Sequence, residues 1–169
     1  LPSLTMGFFV EKNMLTKEEK EKYMQLAVEQ AHIGRSHEEV PIGCVIVHEG
    51  EVIGRGYNRR ETDQVTAGHA EMMAIAEANH RLGNWRLENC QLFVTLEPCT
   101  MCAGAIILAR IPEVYFAASD PKSGMGGSIF NLMDIEELNH QAAVESGILE
   151  EECSGLLKDF FKELRQNKK

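Results

Sequence analysis

The chain has 169 residues, 44% of them hydrophobic and 25% charged, which is enough to bury one core without disulfides or repeats, and it has no apolar run of membrane-spanning length. Its formal net charge of -9 opposes non-specific attraction to a polyanion. Five cysteines, of which only Cys99 and Cys102 lie close together, exclude a disulfide framework and point to a reducing, cytoplasmic setting with Cys44, Cys90 and Cys153 as buried thiols. One domain is expected over 14–169. The segment 1–13 reads as a flexible N-terminal stretch, since it lacks the basic start and small-residue cleavage site of a secretion signal.

Taken in order, Thr16-Lys17-Glu18-Glu19 fits a capping box that opens a helix with Tyr23, Leu26, Ala27, Gln30 and Ala31 along one side and Gly34 at its end. Ile42 to Val47 and Val52 to Tyr57 are rich in β-branched residues and flank Glu49-Gly50, which predicts a β-hairpin. The pattern then alternates: a helix from about His69 to Asn79, a strand at Leu92 to Leu96, a helix from Cys99 to Ala109 and a strand at Val114 to Ala118. Such β-α-β units place the last strands parallel, so the fold class expected is α/β, a three-layer α/β/α sandwich around a mixed sheet. A substantial loop follows over Ser119 to Ser128, and Glu150 to about Arg165 forms a terminal amphipathic helix carrying Cys153, Leu156, Leu157, Phe160, Phe161 and Leu164.

Two short motifs carry chemistry. His69-Ala70-Glu71 lies at one expected helix start and Pro98-Cys99-Thr100-Met101-Cys102 at the next. A histidine and two cysteines make three metal ligands and leave a fourth position open, as in catalytic zinc sites. On a continuing helix, positions i and i+2 lie roughly 200° apart, so His69 and Glu71 face one metal only from a first turn. Thiolates at a helix N-terminus are favoured by its free amides. A metal there lowers the pKa of a bound water from 15.7 towards about 7, and Glu71, near the metal without ligating it, is placed to carry protons. A Cys-x-x-Cys alone also fits a redox pair or half of a structural zinc site. Neither needs His69-x-Glu71, and a four-cysteine knuckle needs a second close pair that is absent. His32, His37, His48, His80 and His140 read as surface or core residues.

At these residues the sequence resembles the zinc-dependent cytidine/deoxycytidylate deaminase superfamily, and more closely its bacterial tRNA-specific adenosine deaminases. The resemblance runs from about Thr16 through Val40-Pro41-Ile42-Gly43, Gly56-Tyr57-Asn58-Arg59, the two motifs with Ala103-Gly104-Ala105-Ile106, Asp120-Pro121-Lys122-Ser123-Gly124, and Asp159-Phe160-Phe161. It departs at Val65-Thr66-Ala67-Gly68, where the family often has Asp-Pro-Thr-Ala. The resemblance implies a cytidine-deaminase-like sandwich, a single deaminase domain over 14–169, and deamination of adenosine to inosine at the wobble position of a tRNA anticodon stem-loop. It also implies a homodimer with one Zn2+ per subunit held by His69, Cys99 and Cys102, with Glu71 catalytic.

By the same resemblance Asn58, Arg59, Ala70, Asp120, Lys122, Phe161 and Arg165 bind the substrate. Asn58 would take the target base, Asp120 and Lys122 the flanking sugar-phosphate, and Phe161 and Arg165 neighbouring nucleotides. Each has a plainer alternative: Asn58 ends a strand, Asp120 caps a loop, Lys122 and Arg165 are solvated, and Phe161 is core. The run from Lys158 to Lys169, with Lys162, Arg165 and Lys168 against only Asp159 and Glu163, supplies a basic rim on an acidic body, and Arg59-Arg60 adds a second basic point. Two competing readings are a deaminase of a free base, nucleoside or nucleotide of guanine or cytosine type, and a zinc-stabilised binding protein without activity.

Overall fold

The computed structural model describes residues 14–168. The expectation for segment 1–13, and Lys169, lie outside the described residues.

Helix α1 (Lys17–Ser36) opens on the expected capping box, with Glu19 N donating to Thr16 Oγ1 and Thr16 N to Glu19 Oε1, both at 3.1 Å. Its buried side is Tyr23, Met24, Ala27, Val28 and Ala31, while Leu26 and Gln30 are only half-buried. The expected stripe was therefore rotated: paired i, i+4 rows, not the single row read from the sequence, lie on the sheet. Gly34 sits inside the helix, which ends at His37, whose N–H closes onto Gly34 O and Arg35 O.

Strands β1 (Gly43–His48) and β2 (Glu51–Tyr57) form the expected hairpin. Both turn residues, Glu49 (φ 49) and Gly50 (φ 78), adopt the left-handed conformation that matches the twist of a two-residue hairpin. A single helical turn, α2 (Arg60–Asp63), then leads to α3 (Ala70–Leu82), β3 (Cys90–Leu96), α4 (Thr100–Leu108) and β4 (Glu113–Ala118). Beyond the long loop come a short strand β5 (Ala143–Ser146) and α5 (Glu150–Gln166). The strand order is β2-β1-β3-β4-β5: β1 is antiparallel to both neighbours, and β3, β4 and β5 run parallel.

Alternation along the strands builds three layers. Cys44, Ile46, Leu92, Val94, Val114 and Phe116 face Ala70, Ala74 and Ala78 of α3 and Ala103 and Ile106 of α4. Val45, Val47, Phe93, Tyr115 and Ala117 face α1 and Cys153 of α5. Small residues let α3 lie close: a Cβ on Gly56 would sit 2.2 Å from Ala70 O. Among the described residues no helix is long and apolar enough to cross a membrane.

Candidate metal and substrate site

The parallel strands β3 and β4 point their carboxyl ends at one cleft, the usual ligand position of an open α/β sheet. His69 is the N-cap of α3 and Cys99 the N-cap of α4, so both side chains project past a helix end into the same space. His69 Nδ1 lies 3.5 Å from Cys99 Sγ and 3.4 Å from Cys102 Sγ. Bonds of 2.3 Å to sulfur and 2.0–2.1 Å to nitrogen in a tetrahedron imply a nitrogen–sulfur separation of about 3.6 Å. The three donor atoms lie within 4.8 Å of one another, and among the described residues they are the one group arranged to hold a metal ion. It is Nδ1 that faces the sulfurs, which the sequence left open.

The electrostatics of the donors are shared. Contact with Cys102 first, and then with His69, draws the Cys99 thiol down to about 4, while contact with Cys99, burial and the neighbouring Glu71 push Cys102 up. The His69 ring is raised by its bond to Cys99. Glu71, two positions along α3 and only 4% exposed, is raised by burial, against which its own backbone amide and Cys102 act in part.

The cleft, of about 210 Å³, is lined by Asn58, Arg60, His69, Ala70, Glu71, Glu97, Cys99, Asp120, Ser123 and Phe161 over an apolar floor of Val40, Ile42 and Leu96. Of the expected substrate residues, Asn58, Ala70, Asp120 and Phe161 are brought together here. Asn58 follows β2 and is held on both sides, accepting from Arg60 N at 3.2 Å and donating from Nδ2 to Val40 O at 3.4 Å. Asp120 caps its loop, with Oδ1 accepting from Lys122 N and Ser123 N and Oδ2 from Ser123 Oγ. Phe161 is 41% exposed and is therefore not core.

The other expected residues stand apart from this cleft. Arg59 turns its guanidinium to Asp63 and the Tyr57 hydroxyl, and Arg60 borders the cleft instead. Lys122 and Arg165 line an adjoining groove with Ser154, Leu157 and Lys158, joined to the cleft through Phe161.

Two residues that the sequence reading passed over hold the walls. Glu39, fully buried, accepts from Glu61 N and Thr62 N and so caps α2 from outside. Glu97, 3% exposed, accepts from Asp120 N, Gly126 N, Ser128 N and Ser128 Oγ. Burial alone would raise the Glu97 carboxyl, but the Ser128 hydroxyl and the three amides outweigh it and hold it below the ordinary value. A charged residue at the end of an apolar strand, directly before Pro98, was the available signal.

The chain matches a family model, MafB19-like deaminase, over residues 18–165. It is 54% identical over 149 residues to the tRNA-specific adenosine deaminase of Bacillus subtilis (strain 168), covering 88% of this chain and 92% of the relative. A solved tRNA:A34 deaminase, from structural work on A-to-I editing at the wobble position of transfer RNA, superposes with a TM-score of 0.76 at 40% identity, covering 80% of this chain and 99% of that one. The guanine deaminase of Nitrosomonas europaea superposes with a TM-score of 0.71 at 24% identity over 83% of each chain, a likeness of fold.

Proposed function

The chain belongs to the MafB19-like deaminases and stands among the tRNA-specific adenosine deaminases, and from that premise we propose that it hydrolyses adenosine to inosine at the wobble position of a tRNA anticodon loop. One observation carries the chemistry: His69 Nδ1, Cys99 Sγ and Cys102 Sγ converge in a cleft that also holds a buried carboxylate, Glu71. Two sulfurs and an imidazole with tetrahedral spacing fit zinc better than harder cations. Zinc, when bound, supplies water with its pKa lowered towards about 7.

The remaining work falls to this chain's own groups. Glu71 takes the proton that water gives up as its oxygen joins C6 of the purine, and delivers that proton to N1. It then moves the proton of the new hydroxyl to the amine, and the C6–N bond breaks to release ammonia and leave a carbonyl. Burial favours this role, because raising a carboxyl above its ordinary value strengthens it as an acceptor of the proton that water gives up. Asn58 gives one Nδ2 hydrogen to Val40 O and keeps a second for an acceptor on the base.

An anticodon loop presents unpaired bases that splay out at small unstacking cost. Half-exposed Phe161 at the cleft mouth offers a neighbouring base a stacking face, and Lys122 and Arg165 offer phosphates a charged groove. Asp120 faces the flanking ribose, and Arg59 acts on the wall through Asp63 and Tyr57. The assembly proposed is a cytoplasmic homodimer with one zinc per subunit and one deaminase domain over 14–169. Exposed Leu108, Ile129 and Phe130 offer apolar surface for a second copy, and the unpaired buried thiols suit a reducing compartment.

The test is inosine formation by zinc-loaded protein on a tRNA transcript with adenosine at the wobble position, beside free adenosine, guanine and cytidine. Conversion of the tRNA alone is expected. Ammonia from a free base with no tRNA conversion would overturn the RNA reading and leave the Glu71 chemistry standing.

A further inference from the structure

We propose that Glu97 is a positioning residue, whose buried carboxylate holds the loop 119–128 in the shape that presents Asp120 and Lys122 beside the target nucleotide. The inference rests on the RNA reading above for its consequence, though not for its geometry.

A carboxylate offers about four acceptor positions on its two oxygens. Here four donors meet them. Oε1 accepts from Asp120 N at 3.0 Å and from the Ser128 hydroxyl, and Oε2 from Gly126 N at 2.9 Å and Ser128 N at 3.1 Å. All four donors come from one loop, which leaves the carboxylate no acceptor position for a substrate although it borders the cleft. Its partners lie 23 to 31 residues away in sequence, so it joins the start of the loop to its end. From the Asp120 amide the order passes outward, because the Asp120 carboxylate in turn fixes the Lys122 and Ser123 amides. The loop lies flat on the carboxylate because it can: a Cβ on Gly124 would stand 2.3 Å from Glu97 Cδ and Oε2. Only glycine fits there.

Glutamine is the informative substitution. It keeps the shape of Glu97, and its amide group can still donate to the Ser128 hydroxyl while its oxygen accepts from Gly126 and Ser128. Its NH2 then faces the Asp120 amide, donor against donor, so the hold on Asp120 is the one lost.

The experiment has two arms on metal-loaded full-length protein. In the first, amide hydrogen exchange is followed in Glu97→Gln. Exchange at Asp120 is expected to rise at least tenfold, while amides of α3 and α4 and the bound metal stay as in the parent. Unchanged exchange at Asp120 overturns the proposal whatever the substrate proves to be. In the second arm, KM for the wobble-adenosine tRNA is expected to rise about tenfold in Glu97→Gln with kcat within twofold, and Glu97→Gln/Asp120→Ala to be no worse than Asp120→Ala alone. Multiplying effects, or a fall in kcat with KM unchanged, would assign Glu97 to the cleft chemistry and overturn the proposal. If Glu97→Gln does not fold, Ser128→Ala, which removes the hydroxyl donor and leaves the Asp120 contact in place, is taken through hydrogen exchange instead: faster exchange at Gly126 and at position 128 is expected, and unchanged exchange at both overturns the proposal. If the parent converts no tRNA, the RNA reading has failed, and the exchange arm alone still decides the hold of Glu97 on the loop.

Discussion

Glu71 and Cys99 share one cleft but answer different demands, and substitution separates them. Glu71 is buried beside the donor atoms without belonging to the group of three, so Glu71→Ala is expected to retain one metal per chain and to lose about 10²–10⁴-fold in turnover, the range of a positioned acid–base group. Cys99→Ala is expected to lose both. Metal content by elemental analysis, set beside initial rates of inosine formation, checks the pair, and near-normal turnover in Glu71→Ala would sink the proton-carrier role. These residues were legible in the sequence because their relation is local: two N-caps with fixed short spacings put them at helix ends. Glu97 and Glu39 were not legible, because what makes them matter is a set of backbone amides more than twenty residues away. That Arg60 borders the cleft while Arg59 is engaged elsewhere was not legible for a similar reason. The turn of α2 points one arginine to Asp63 and the other to the cleft, and i, i+1 neighbours on a helix never share a direction.

At the scale of elements, the start of α3 has to lie against β2 for His69 and Glu71 to reach the cleft, and glycine permits it. A Cβ on Gly56 would stand 2.2 Å from Ala70 O and 2.9 Å from Ala74 N, while one on Gly54 would stand 2.3 Å from Ala74 O, a turn further on. Both Gly56→Ala and Gly54→Ala are expected to destabilise by about 1–3 kcal/mol through overpacking. Only Gly56→Ala, which pushes on the residue between His69 and Glu71, is expected to weaken metal affinity by tenfold or more. Competition with a chromogenic chelator measures it, and equal affinities in the two variants would mean that the helix start is not what sets the site. The hairpin, β3, β4, α3 and α4 were legible because each carries enough buried apolar residues to leave a hydrophobic signal. Strand β5, Ala-Val-Glu-Ser at the sheet edge, buries almost nothing, and α2 is one turn with no buried residue, so neither leaves a hydrophobic pattern to read.

At the scale of the whole molecule, both faces of the sheet bury groups whose ionisation is disfavoured. Burial pushes Cys90 up to about 11, and burial first, then nearby acids, push Tyr115 and Cys153 up to about 12. A folded pKa above the unfolded one means stability is fully present below about 8.5, where unfolded thiols begin to ionise, and is lost as pH rises towards the folded values. Urea midpoints are therefore expected to fall from pH 8 to 10.5, and less so in Cys90→Ala/Cys153→Ala; equal slopes would show that these thiols are not linked to folding. Charge is distributed as unevenly as burial. The net charge is -9, yet Lys122, Lys158 and Arg165 line one groove beside the cleft, and Glu163, the acid on that helix nearest to them in sequence but one, is engaged by Arg35 at 2.9 Å. An acidic body repels RNA away from such a groove, so on the proposed reading the groove is where the anticodon loop is expected to align before any base is read. Each phosphate neutralised on a single strand contributes about -0.7 to the slope of log affinity against log salt. Lys158→Ala is accordingly expected to make that slope shallower by about 0.7 for an anticodon stem-loop, whereas Lys17→Ala, at the exposed start of α1 on an acidic stretch, leaves it as in the parent. Titrations at four salt concentrations distinguish the two, and an unchanged slope in Lys158→Ala would remove the phosphate backbone from that groove.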